Sequence, residues 1–203
     1  MKKLISIILC AALALAALTA CGSTAAPTPT AEPVQTAEPT PEPTPEPATD
    51  PLVMYKDILD VYAQALTNNY GGEELIGSEI SLLNMYCYEG NALDNVGYIF
   101  LDLDGDGTME LFIGAIGGDE FVANAVFDFY TYQDGHPVLL IDSMERARCY
   151  ICDDNTIVID GANSAFDTEY TCYSYANGEL TEIEPVESAY QQLDYTPFSQ
   201  YGA

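Results

Sequence analysis

Between Ser23 and Asp50 the chain consists almost wholly of Pro, Thr, Ala and Glu, with repeated Glu-Pro-Thr units and almost no large apolar side chain. Such a stretch has too little apolar surface to offset the entropy of ordering, so it cannot join a core. Folding is therefore confined to the residues beyond Asp50. Alternating prolines favour polyproline II at about 3.1 Å per residue, so these 28 residues extend roughly 85 Å as a stalk. Residues 51–203 make up 153 positions, the size of a single globular domain with its own core.

Ahead of the stalk, Lys2 and Lys3 precede an apolar run from Leu4 to Leu18, closed by Leu18-Thr19-Ala20-Cys21. Positive charge, a 15-residue apolar stretch and small residues before a cleavage point follow the order of a secretory signal, whereas a spanning helix needs about 20 residues. The tetrapeptide resembles a bacterial lipobox, a resemblance confined to this segment. It implies that residues 1–20 are a lipoprotein signal peptide, that Cys21 becomes the lipid-modified N-terminus, and that residues 21–50 are the lipidated cysteine and stalk. Each buried methylene contributes about 0.8 kcal/mol, so two or three acyl chains anchor durably where one does not. The expected location is the extracytoplasmic face of a cell membrane, with the bilayer as a partner through the lipid.

The folded part carries 27 acidic residues against Lys56, Arg146 and Arg148, a formal balance of −24. That field repels nucleic acid and other anionic polymers and attracts divalent cations. Nucleic-acid binding is excluded, because neutralising phosphates requires a basic face. Solubility alone is the plainer account of the charge.

Cys10 leaves with the signal and Cys21 is consumed by lipid, which leaves Cys87, Cys149, Cys152 and Cys172. Export permits two disulfides in any of three pairings, and a reducing habitat permits four small buried thiols. The spacing does not choose between them.

Apolar residues at Tyr55, Ile58, Leu59, Tyr62, Ala65 and Leu66 recur at helical spacing and stop near Asn68, Asn69, Gly71 and Gly72. Ser78 is expected to cap a second helix with Leu82, Leu83, Tyr86 and Cys87 along one side, ending near Gly90. After Asn95 the texture turns to strands: Tyr98 to Leu103, Met109 to Ile116, Ala125 to Tyr132, Val138 to Ile141, Arg148 to Cys152, Thr156 to Ile159, Glu169 to Tyr175 and Glu179 to Ile183. Turns are expected at Asp134-Gly135, Asp153-Asp154-Asn155 and Asn177-Gly178. A final helix is expected over Glu187 to Leu193, before Pro197 and Phe198 close one end of the sheet. The fold class is α+β, N-terminal helices packed on an antiparallel β-meander of six to eight strands. A full propeller needs at least four blades, and this length supplies about two.

One constellation has a defined chemistry. In Asp102-Leu103-Asp104-Gly105-Asp106-Gly107-Thr108-Met109-Glu110, carboxylates at alternate positions converge only if the chain curls around a point. Gly107 permits the turn, Thr108 offers a backbone carbonyl and Glu110 adds a further oxygen. A shell of hard oxygens suits Ca²⁺, while a plain Asp-Gly hairpin turn explains the same residues without an ion. The segment resembles the Asp-x-Asp-x-Asp-Gly loops of EF-hands, dockerins and integrin-type repeats. The EF-hand's twelfth-position Glu is replaced by Ile113, and the flanks read as strands, so the strand-loop-strand form is the better likeness. Signal, stalk and a lone loop of this kind before a β-rich end resemble a group of uncharacterised Gram-positive cell-surface lipoproteins. That resemblance implies no activity.

No catalytic set emerges. Cys149 and Cys152 form a Cys-x-x-Cys within a strand-like run, where residues three apart point to opposite faces, unlike a redox or zinc pair. His136, the single histidine, belongs to the Asp134-Gly135-His136-Pro137 turn. Phe127, Phe129, Tyr130 and Tyr132 form either a sugar-stacking or protein-binding face or an ordinary aromatic strand. The expectation is a Ca²⁺-stabilised surface module at Asp102, Asp104, Asp106, Thr108 and Glu110 that binds an extracellular protein or glycan. The alternative is a small secreted hydrolase acting on cell-wall or dietary polymers.

Overall fold

A computed structural model describes residues 49–118, 122–164 and 167–203; the signal segment, Cys21 and the stalk up to residue 48 lie outside the described residues. All of them fall within one compact unit, Pro45–Ala203. The stalk ends where Asp50 accepts the Leu52 N–H at 3.0 Å and caps α1 (Pro51–Met54), with Pro51 at its first position. Helix α2 (Lys56–Asn68) then buries Leu59, Tyr62, Ala65 and Leu66, the stripe expected from the spacing. It stops at Asn69, whose left-handed φ of 47° lets its N–H reach the carbonyls of Ala65 and Leu66. A single turn, α3 (Gly72–Leu75), follows and buries Leu75.

The second expected helix is a 3₁₀ segment, Leu82–Cys87, and its cap is Ser81 rather than Ser78. Ser81 Oγ accepts the Leu83 N–H at 3.2 Å, while Ser78 bonds the Leu75 carbonyl and the Ile80 N–H. Its backbone explains the change, since the Ser81 N–H donates to Asp128 on the sheet and its hydroxyl to the Ser143 carbonyl. That anchor fixes the helix start three residues late. Leu83 and Cys87 are buried and Leu82 and Tyr86 exposed, so the four do not share one side.

After α4 (Ala92–Asn95) the chain enters the sheet: β1 (Val96–Leu101), β2 (Glu110–Ala115), β3 (Val126–Gln133), β4 (His136–Asp142), β5 (Ala147–Ile151), β6 (Ile157–Ser164), β7 (Asp167–Ala176), β8 (Glu179–Ile183) and β9 (Thr196–Pro197). The fold is α+β, and all eight expected strands are present. The ninth is two residues that pair with Gly97 and Tyr98. Strand order is β8-β7-β6-β5-β3-β2-β1-β9, with β4 attached to β3 beside this path. The meander is therefore interrupted. Strand β4 follows β3 from Gln133↔His136 to Asp128↔Asp142, a tight turn closes between Met144 and Ala147, and β5 rejoins the same edge at Val126↔Cys149.

The expected helix over Glu187 to Leu193 is absent; these residues form only a single β-bridge, Tyr190 with Cys152. The N–H of Asp153 donates to the Ala189 carbonyl at 2.9 Å and that of Gln191 to the Ile151 carbonyl at 2.7 Å. Pairing with the end of β5 satisfies the backbone that a helix would have satisfied internally. Phe198 is buried among Tyr62 and Tyr98 and does close one end of the sheet.

Two cores flank β1 to β3. Leu111 and Ile113 of β2 face the helices, together with Phe127 and Tyr130. The alternate residue Phe112 stacks on Phe129 at 4.5 Å in the second core, with Val126, Ile151, Ile157 and Tyr175. The register of β2 against β3 shifts between Ile113 and Gly114, so Phe127 and Asp128 both lie on the helix side. The Tyr175 ring meets Phe129 edge-on at 5.2 Å, which brings β7 across the face of β2 and β3. The sheet thus curls over its second core.

Candidate metal centre

The loop between β1 and β2 owes its shape to local hydrogen bonds. Asp104 Oδ1 accepts the Asp106 N–H at 3.2 Å, Asp106 Oδ1 the Thr108 N–H at 2.6 Å, and Asp102 Oδ2 the Gly107 N–H at 3.0 Å. Each aspartate closes a turn around backbone ahead of it, as Asp side chains do. Gly105 and Gly107 take φ of 77° and 93°, and β-carbons there would strain the backbone. The chain therefore winds with its carboxylates inward.

One carboxylate oxygen each from Asp102, Asp104 and Asp106 lies within 4.8 Å of the others. Asp104 Oδ2 also accepts the Asn177 N–H at 2.6 Å, tying the loop to the β7–β8 turn, where Asn177 and Gly178 take φ of 52° and 79°. Asp102 Oδ1 is buried without a hydrogen-bond partner. A buried carboxylate oxygen in that condition carries a desolvation cost that a cation would offset. The donor set is oxygen only, which suits a hard divalent ion such as Ca²⁺.

The expected ligands do not all converge. Glu110 is 1% exposed and turns inward, where Oε2 accepts the Leu103 N–H and Oε1 the Tyr175 hydroxyl, each at 2.9 Å. Thr131 Oγ1 lies 2.7 Å from the same tyrosine oxygen. Burial pushes the Glu110 carboxyl up to about 7; those two hydrogen bonds oppose the shift, and Asp104 and Asp106 add to it. A divalent ion in the loop would reverse that balance in favour of the carboxylate. Thr108 contributes its N–H to Asp106. A cleft of about 150 Å³ opens beside the loop, lined by Asp106, Thr108, Glu110, Thr131, Tyr175 and Asn177 among others.

The remaining candidates separate. Cys149 lies in the second core and Cys152 in a third cluster with Val158 and Cys172, so the Cys-x-x-Cys pair points to opposite faces. Cys87 lies in the helix-side core, and all four cysteines are buried. Burial raises the Cys149 thiol. His136 is exposed at the start of β4, after Asp134 and Gly135 at φ of 50° and 85°. Phe127, Phe129 and Tyr130 are wholly buried, so the aromatic stripe of β3 is core and not a binding face.

A second acidic cluster has no signature in the sequence. Asp128 and Asp142 lie opposite one another on β3 and β4, and Asp128 accepts the Ser81 N–H. Burial holds both carboxyls above the usual range, Asp128 well above it. No motif marks it, because it arises from strand register and a bulge.

Fold and loop together define an acidic α+β domain with an oxygen-lined strand-loop-strand turn. Compared with known protein families, with curated proteins and with solved structures, the chain matches none.

Proposed function

We propose that the protein is a membrane-anchored extracellular lipoprotein whose domain is a Ca²⁺-stabilised binding module, held off the bilayer by its stalk. The observation that carries the calcium reading is the convergence of Asp102, Asp104 and Asp106 around a buried, unpartnered Asp102 Oδ1. An ion bound there would join the β1–β2 loop to the β7–β8 turn through Asp104. It would add stability by mass action, since only the folded chain assembles the site. Thr108 and Glu110 are the proposed additional ligands, and engagement of Glu110 requires its carboxylate to share itself with Leu103 and Tyr175. The lipid at Cys21 and the likeness to Gram-positive surface lipoproteins belong to the same proposal.

A secreted hydrolase is the second reading, favoured by the burial-raised pKa of Glu110 beside a cleft. Against it, Glu110 is enclosed and both its oxygens are engaged. Exposed tyrosines at positions 170 and 190 support binding instead.

The test is thermal unfolding in 10 mM CaCl₂ and in EGTA. With a dissociation constant of about 10⁻⁴ to 10⁻³ M, calcium adds about 1.4 to 2.7 kcal/mol, and Asp104→Ala removes the difference. Superimposable curves for the unaltered protein would sink the metal reading. For the anchor, Cys21→Ala is expected to release the protein from membranes into the medium, and continued membrane retention of that variant would refute lipidation.

A further inference from the structure

The face of the sheet that the helices cover over β1 to β3 continues onto β5 to β8. There Tyr150, Val158, Tyr170 and Cys172 alternate with residues of the second core and point away from it. Instead of a helix, an irregular strap leaves β8 and lies against this face over residues 185–190. The two hydrogen bonds at Ala189 and Gln191 pin it on either side of Tyr190. The Tyr190 ring lies flat on Tyr150, with centroids 4.3 Å apart and planes within 5°.

Strap and sheet enclose an open trough of about 540 Å³ over Val158 and Cys172, with Tyr170 and Tyr190 in its lining. Tyr150 covers one face of Tyr190, yet Tyr190 is 43% exposed, so the solvent sees its other face and its edge. Tyr170 is 52% exposed. The result is an aromatic plate already fixed in orientation, so that little ordering entropy opposes a ligand laid against it.

Charge indicates what that ligand is. On a domain of formal charge −24, Glu187 lines the trough, Glu169, Glu182 and Glu184 line the adjoining cleft that shares Tyr170, Cys172 and Pro185 with it, and no basic residue lines either. An anionic polymer is repelled by the domain as a whole, while the trough offers an apolar floor and exposed ring faces with carboxylates beside them that can accept hydrogen bonds from hydroxyls. The complementary shape is a flat, neutral disc, apolar on its face and hydrogen-bonding at its rim. A pyranose ring has that form: its C–H bonds meet the negative face of an aromatic ring, and its hydroxyls reach polar groups at the edge.

We propose that this trough is a subsite for a neutral polysaccharide, with Tyr190 and Tyr170 stacking on sugar rings and Glu187 and Ser188 meeting hydroxyls. It rests on the reading of the domain as a binding module and is independent of the calcium loop. The test is retention of the lipid-anchored protein, in detergent, on cellulose, xylan, mannan, β-1,3-glucan and starch. At least one is expected to retain it. Tyr190→Ala and Tyr170→Ala are each expected to weaken retention about tenfold or more, the scale of a central aromatic contact, while Tyr190→Phe stays within about twofold. Since Tyr170 is half exposed, an unchanged melting curve for Tyr170→Ala separates lost contact from lost fold. Absence of retention on all five polymers overturns the proposal, as does retention indifferent to both alanine variants. Capture of a proline-rich or basic peptide through these tyrosines, with no glycan bound, overturns it too. Release of reducing ends from a polymer held in a Tyr190-dependent way supports the subsite and overturns the non-catalytic reading, which separates the two.

Discussion

Two groups of carboxylates in this domain are built by opposite means. In the β1–β2 loop, Asp102, Asp104 and Asp106 are brought together by turns that each side chain closes on its own neighbourhood, and their oxygens accept backbone N–H groups within five residues. At the β3–β4 edge, Asp128 and Asp142 meet because strand register sets them opposite one another and a bulge turns Asp128 toward Ser81. The loop gathers charge where solvent or an ion can answer it. At the pair Asp142 still reaches solvent, but Asp128 is wholly buried with the Ser81 N–H as its one hydrogen-bond partner, and burial pushes both carboxyls toward the neutral form, Asp128 the further. Local chemistry thus gathers three carboxylates that could hold a cation, and tertiary placement yields a buried carboxyl that favours its proton.

Glu110 joins the two principles, since its position follows from the loop but its oxygens serve the interior. Glu110→Ala leaves the Leu103 N–H without its acceptor and the Tyr175 hydroxyl with Thr131 alone, and opens a cavity against the second core. The expected loss is about 3 kcal/mol in calcium-free urea unfolding. Glu110→Gln keeps one oxygen for the Leu103 N–H and can donate its amide N–H to the Tyr175 oxygen, whose proton then turns to Thr131, so it is expected to lose less than about 1 kcal/mol. Equal losses for the two would place Glu110 with the loop and break the comparison.

Asp128→Asn is expected to act in the other direction. A carboxyl whose folded pKa is raised binds its proton more tightly in the folded state, so its contribution is whole below the unfolded value of about 3.9. That contribution falls as pH rises toward the folded value. The amide keeps an oxygen for the Ser81 N–H and can donate to Asp142 across the strand pair. The variant is therefore expected to match the parent near pH 4 and to exceed it by about 2 kcal/mol at pH 7. A destabilised variant at pH 7 would mean that the ionised form is the one the fold uses.

The same division explains what the sequence made legible. Helix α2, the eight longer strands, the Asp134-Gly135 and Asn177-Gly178 turns and the convergence of three aspartates all follow from residues close in the chain. What was hidden depends on distant partners. Ser81 displaced Ser78 as a cap because the sheet holds it at Asp128 and Ser143. Residues 187–193 have helical composition but pair with the end of β5. Gly97 and Gly114, paired across β1 and β2, form a slot for Tyr195, and β-carbons there would lie 2.7 Å from its Cβ and 2.5 Å from its Cζ. Nothing near either glycine in sequence announces that ring. The inward turn of Glu110 was concealed likewise, because its partner Tyr175 stands 65 residues away.

Backbone strain tests the local half of the comparison at a smaller scale. Gly107 sits at φ of 93° with open space where a β-carbon would go, so Gly107→Ala meets no clash and pays only for the backbone angle. A loss of about 1 kcal/mol in calcium-free unfolding is expected. Its calcium response should fall as well, because the Gly107 N–H holds Asp102 Oδ2 in place. An unaltered response with lowered stability would show that the turn and the ion site are separable.

The smallest effect is expected at Asp106, and it is the one that most sharpens the contrast. Its side chain is exposed, and Oδ1 does no more than accept the Thr108 N–H, a role that an asparagine oxygen fills equally well. Asp106→Asn is therefore expected to change calcium-free stability by no more than about 0.5 kcal/mol. It removes one negative charge from the three that converge, so the same variant should bind calcium more weakly and lose part of the stabilisation the ion confers. Near-neutrality without calcium combined with a reduced calcium response is the signature of a ligand. Near-neutrality in both conditions would make the loop a turn whose charges are incidental, and the difference between the two acidic clusters would then be one of burial alone.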